Sequence, residues 1–252
     1  MSFEPIRIGN TVIRCKKSSA SSSSVSVYEI KNEASPVLMK SISNATNATN
    51  ANHVSIVEAA NVLTMRDYLK RTRHATELYV ALRLVHDLGK QMQALISAGC
   101  SIACIGVDDV VVITHRDSDA FVHDSINDPD STLGNSRMDP QFLFLNDHLI
   151  FEVDDDGTLI VDHALPQATS KHVFMSPELS ELQKLPQQPQ QPQLHFKTIY
   201  HSAAQLVIYF LLNVDRTTED LAYLNPIKHT QLYWFLLRCL NPVPAERKYI
   251  YI

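Results

Sequence analysis

No stretch of this sequence stays apolar for the roughly 20 residues that a membrane-spanning helix requires; the longest apolar run extends only from Leu206 to Leu212. A surplus of positive charge is missing too. Lys and Arg number 22 against 27 Asp and Glu, a formal charge of -5, so there is no general attraction for nucleic acid or anionic lipid, which needs clustered cations to release counterions. Lys16 and Lys17, and the stretch from Lys70 to Arg73, are short basic spots that read as solvated faces. Cysteine is scarce: Cys15, Cys100, Cys104 and Cys239 do not form the two close pairs of a structural zinc site. They read as reduced thiols of an intracellular, cytoplasmic protein. Glycine is scarcer than the chain length suggests, and the segment IGNTVIRCKKSSASSSSVSVYEI holds Gly9 alone. Backbone amides there cannot close around phosphate groups without Cβ clashes.

What is present is a 252-residue chain that is 45% hydrophobic, enough for one sizeable core or two small lobes sharing an interface. Four polar segments interrupt it: Ser18 to Ser24, the Asn/Ala/Thr repeat from Asn44 to Asn52, the acidic stretch from Asp117 to Pro140, and QQPQQPQ from Gln187 to Gln193. Their composition makes them loops, because they cannot offset their own ordering entropy. The two Asn-Ala-Thr sequons at Asn44 and Asn47 belong to the repeat and, with no signal peptide before them, read as low complexity.

Between Thr11 and Lys40, TVIRC, VSVYEI and PVLMK read as strands, being short and rich in β-branched or other apolar residues. From Ala75 to Ile96 the residues Leu78, Leu82, Val85, Leu88, Met92 and Leu95 recur at helical spacing, with Gly99 placed to end the helix. DVVVIT (Asp109 to Thr114) and QFLFLN (Gln141 to Asn146) predict a strand pair, and Asp154 to Asp156 before Gly157 predict a hairpin turn between LIFEV and TLIV. Helices follow near Ser202 to Leu212 and Thr230 to Leu240, the second stopped by Pro242 and Pro244. The expected class is α+β with two unequal lobes.

Several local sequences resemble a protein kinase. FMSPEL (Phe174 to Leu179) looks like the A-P-E segment that closes an activation loop, and LLRCLNPVPAER (Leu236 to Arg247) looks like the kinase helix that ends in Cys-Leu, a Pro-containing turn and an Arg. The resemblance implies a buried structural ion pair between Glu178 and Arg247. SAAQLVIYFLL resembles the central helix of the large lobe, TMRDYLKR the helix after the hinge, and the helix ending in LISAG the one that delivers the catalytic loop. PVLMK resembles the V-A-I-K strand, which implies Lys40 as the phosphate-pairing lysine, and VSIVEAANVLTMRDYL resembles the strand-hinge-helix crossing, with Glu58 near the adenine edge. The resemblance therefore implies one two-lobed kinase-like domain over residues 1–252. Residues 1–60 form a reduced, β-rich N-lobe without an αC-type helix, and 61–252 a mainly helical C-lobe.

The catalytic positions depart from the kinase pattern. Phosphoryl transfer needs a lysine with an acidic partner, Mg²⁺ ligands and an aspartate for the attacking hydroxyl. Half of the short stretch from Lys40 to Glu58 is the Asn44–Asn52 repeat, leaving no room for the helix that supplies the acidic partner. In CSIACIGVDDVVVI the H-R-D positions fall on Ile102, Ala103 and Cys104, and the loop asparagine on Asp109. Asp109 could hold a metal ion or belong, with Asp108, to a solvated turn. A literal His115-Arg116-Asp117 follows a strand, with Val122 where an asparagine is required; if it were used, Asp117 would be the base. The D-F-G position is open between Asn146-Asp147-His148 and Asp162-His163-Ala164, making Asp147 and Asp162 alternative metal ligands.

The sequence expectation is thus a pseudokinase that binds unidentified protein partners, with neither nucleic acid nor membrane as a partner. No cofactor is assigned, and Mg²⁺ with ATP stays open. Its alternatives are a divergent active Ser/Thr kinase using Lys40, Asp109 and either Asp147 or Asp117, and an unrelated α+β interaction protein.

Overall fold

Alternation along the first strands decides which face of the first sheet is buried. In a computed structural model that describes residues 4–16, 26–46, 50–51, 54–72, 77–114, 140–161, 172–184, 193–214 and 221–249, the chain begins with strands β1 (Ile6–Ile8), β2 (Thr11–Lys16) and β3 (Ser26–Lys31). Helix α1 (Pro36–Thr46) follows, then β4 (Asn50–Ala51) and β5 (Val54–Ala59). These strands form an antiparallel sheet in the order β1-β2-β3-β5-β4. Successive side chains point to opposite faces, so Ile8, Ile13, Ile30 and Val57 enter the core while Arg7, Arg14, Lys31, Ile56 and Glu58 stay exposed.

Two expectations fail at α1. PVLMK is not a strand, and the third strand is followed by a helix where none was expected, built partly from the repeat read as loop. The physical reason is local. Ser35 Oγ accepts a hydrogen bond from Leu38 N (3.3 Å), and Pro36 holds the first helical position, where its missing N–H costs nothing. Leu38, Met39, Ile42 and Ala45 then fall on one buried face. Lys40 lies off that face and is exposed.

β6 (Asn61–Thr64), α2 (Met65–Arg71) and the long helix α3 (Leu78–Ser97) come next, followed by β7 (Cys100–Ile102), β8 (Ile105–Gly106), β9 (Val110–Thr114) and β10 (Gln141–Phe144). Thr64 caps α2, its hydroxyl accepting from Asp67 N and donating to the Asp67 carboxylate. The second sheet has the order β10-β9-β6, so the predicted pairing of DVVVIT with QFLFLN forms, with Phe142 opposite Val112. Central β9 is buried along its whole length.

The outer edge of β10 is covered by side chains of α3. Asp87 accepts from Phe142 N (3.0 Å), while Gln91 accepts from Phe144 N (2.7 Å) and donates to Phe144 O (3.2 Å). Asp87 is almost fully buried and is ion-paired with Arg83 one turn earlier. Burial raises its carboxyl above the usual range, against the bonds from Phe142 N and Arg83.

The remainder consists of β11 (Ile150–Val153), β12 (Thr158–Ile160), β13 (Val173–Phe174), α4 (Pro177–Leu182), β14 (Leu194–His195), α5 (Thr198–Leu212) and α6 (Gln231–Cys239). β14, β12, β11 and β7 make an antiparallel sheet, and β13 pairs with β8. The hairpin turn falls where the sequence put it: Asp154 Oδ1 accepts from Asp156 N and Thr158 N, and Gly157 adopts φ +78°, a conformation costly for residues with a Cβ. Phe142 and Phe210 meet edge to face at 5.4 Å, binding α5 to the second sheet. The fold is mixed α and β with antiparallel sheets. Among the described residues no helix is long and apolar enough to cross a membrane.

Candidate functional site

Two polar constellations stand out, and the first joins α4 to the chain after α6. Ser176 caps α4, with Pro177 at its first position, which sets Glu178 in the first helical turn. Arg247 is fully buried and reaches it with both terminal nitrogens, one on Oε1 and the other on Oε2 at 3.0 Å. Arg247 Nε donates to Asn241 O (2.8 Å), and Thr198 Oγ1 donates to Glu178 Oε1 (2.9 Å). Burial by itself pushes the Glu178 carboxyl up, but the bonds and charge of Arg247 together with the bonds from a backbone N–H and Thr198 outweigh it and hold the group below its usual range. His201, on α5, is buried with no hydrogen-bond partner on Nδ1. Burial, reinforced by the Arg247 charge, lowers its pKa to about 4.

The second constellation gathers loops around Asp109. Cys104 is buried, and burial raises its thiol to about 12. A thiol so held is neutral and neither a base nor a nucleophile at pH 7. Asp109 ends a 3₁₀ turn over Val107–Asp109. Its Oδ2 accepts from Gly106 N (2.6 Å) and its Oδ1 from Asn146 Nδ2 (2.7 Å). Burial nevertheless raises its carboxyl above the usual range. Asp108 points the other way and takes a bidentate contact from Arg66 of α2, at 2.7 and 2.8 Å.

Asp147, next to Asn146, is engaged from the far end of the sequence. Asn10 N donates to Asp147 Oδ1 (2.9 Å) and Asn10 Nδ2 to Oδ2 (2.8 Å). The β1–β2 turn fits so closely that a Cβ on Gly9, whose φ is +56°, would collide with Asp147 Oδ1 and lie 2.9 Å from Asn146 Oδ1. Beneath it, buried Thr11 donates from Oγ1 to Leu145 O (2.7 Å) and accepts from Asn32 Nδ2 (2.9 Å). Asn10 also borders an open groove of about 410 Å³ lined by Val12, Arg14, Glu29, Lys31 and Glu33.

Of the residues singled out in the sequence, the structure brings Glu178 to Arg247, and Asp109 to the turn that carries Asp147. It does not bring Lys40 or Glu58 to them: both are exposed, Lys40 on α1 and Glu58 on β5 opposite Val27. Asp117, with His115 and Arg116, and Asp162 lie outside the described residues. Among the described residues, the carboxylates nearest this site are engaged by the protein itself. Both oxygens of Asp109 and both of Asp147 already accept hydrogen bonds from the protein, and among the described residues no three His, Cys, Asp or Glu side chains converge as metal ligands. Sequence reasoning missed Asn10, Thr11 and Asn32, and it placed Asn146 in a candidate D-F-G position without foreseeing its bond to Asp109. The Gly9-Asn10 turn signal between two strand-like segments was the one local clue. No protein-family model matches the chain, and no curated protein matches it.

Proposed function

We propose that the chain is a degenerate protein-kinase-like domain that has lost phosphoryl transfer and serves as a protein-binding scaffold. The observation that carries this reading is the Glu178–Arg247 pair, which ties the start of α4 to the turn after α6 as the resemblance requires. Helix α1 adds support, because it stands between the third strand and the following strands, where a kinase places the helix that positions its lysine. With Lys40 on that helix, the counterpart of the strand lysine becomes Lys31, the last residue of β3. Lys31 is held at 2.5 Å by Glu33, and α1 contains no acidic residue. The amide and carboxylate of the kinase metal ligands are also exchanged, with Asp109 in the catalytic loop and Asn146 after β10. A fold can outlast its chemistry because the reacting groups are a separate layer of residues.

The test is thermal denaturation with and without millimolar Mg²⁺–ATP, alongside a phosphorylation assay. A ligand well above its dissociation constant must stabilise the fold, so an unchanged Tm and no phosphate transfer are expected. Phosphorylation of a protein substrate that disappears in Asp109→Ala would establish the active-kinase alternative instead.

A further inference from the structure

The contact between the β1–β2 turn and Asp147 is one end of a continuous polar chain. Asn32 Oδ1 accepts from Ala34 N (2.8 Å) and Ser35 N (2.9 Å) at the entrance to α1. Its amide donates to Thr11, whose hydroxyl donates to Leu145 O. Leu145 N donates to Asp109 O (2.9 Å), and the next residue, Asn146, donates to the Asp109 carboxylate, which accepts from Gly106 N. The path therefore runs from the N-terminal sheet to the loop between β8 and β9 through hydrogen bonds between residues more than 130 positions apart in sequence.

We propose that the β1–β2 turn is a latch that couples the N-terminal sheet to the Gly106–Asp109 loop, so that lifting the first hairpin loosens that loop. The two halves of the chain differ in the way a latch requires. The Asn10 bonds to Asp147 are exposed, and water replaces exposed bonds at small net cost. The inner bonds of Thr11, Asn32 and Asp109 are buried, where an unpaired group is expensive and the arrangement is held or lost as a unit. Asn146 and Asp147 are chain neighbours, so the carboxylate gripped from outside and the amide that holds Asp109 inside share one short turn. The coupling rests on these bonds alone and is independent of the kinase-like reading.

Hydrogen exchange on the full chain tests it. Asn10→Ala removes one outer bond, and Asn10→Asp sets a second carboxylate against Asp147. Lys16→Ala is the control, cutting the Lys16–Glu29 pair at the other end of the same strand. Exchange at Gly106 N and Leu145 N is expected to quicken by about twofold in Asn10→Ala, the population equivalent of one exposed hydrogen bond at the low end of the net range. It should quicken more in Asn10→Asp and stay unchanged in Lys16→Ala. Faster exchange confined to residues 8–12 in both Asn10 variants, with Gly106 as slow as in the parent, would overturn the latch. Equal acceleration at Gly106 by Lys16→Ala would overturn it too, by showing general loosening.

Discussion

Glu178 and Asp109 are both carboxylates withdrawn from water, yet their surroundings treat the charge in opposite ways. Glu178 faces a guanidinium and is held below the usual carboxylate range; Asp109 faces a backbone N–H and a side-chain amide, and burial raises it. Neutral donors satisfy geometry without cancelling charge, whereas a guanidinium does both. The joint at Glu178 is therefore one that the fold depends on. The turn at Asp109 is a place where a charge is tolerated.

The sharpest way to break this contrast is Arg247→Ala, which strands Glu178. It should cost about 3–5 kcal/mol, read as a fall in urea midpoint at pH 7, and Glu178→Gln made on top of it should recover part of the loss. A loss no larger than that of a surface substitution would erase the distinction between the two sites.

A somewhat smaller effect tests the neighbourhood of the same joint through pH. The folded-state pKa of His201 lies near 4, below its ordinary 6.5. Between those values the unfolded chain binds the proton and the folded chain does not, so stability rises with pH across the window and is lost toward its acid end. The full difference is on the order of 3 kcal/mol. His201→Leu should flatten this part of the Tm-against-pH curve. Glu178 adds to the same direction further down: its contribution is present above the unfolded carboxylate value and lost as pH falls through its lowered folded value.

The smallest effect belongs to Asp109→Asn. The amide oxygen can accept from only one of Gly106 N and Asn146 Nδ2, so one hydrogen bond is lost, about 1 kcal/mol, while a buried charge disappears. The sign with pH is opposite to that at Glu178. A raised folded pKa means that stability falls as pH climbs from the unfolded value through the folded one, and the substitution should remove that component.

How much of this could be read beforehand follows from range along the chain. α3, α5, α6, the separate strands β9 and β10 and the Asp154–Gly157 turn carry their cause in nearby sequence, in apolar period or turn chemistry. The Glu178–Arg247 joint was legible through two local motifs that point to each other. α1 was misread because its buried spacing, Leu38, Met39, Ile42 and Ala45, runs into a repeat whose composition says loop; the Ser35-Pro36 start signal was there to be used. The Asn10–Asp147 contact had no comparable signal, since neither residue carries a local pattern that depends on the other.

The way α3 covers β10 bears on how the β9–β10 register is fixed. Hairpins ordinarily take their register from the turn that joins the strands. In this one, Asp87 and Gln91 grip Phe142 and Phe144 from a third element, so the alignment of β10 is set from its outer edge. Register in this pair therefore has a source outside the two strands themselves, and losing both Asp87 and Gln91 would free the alignment that sets Phe142 opposite Val112.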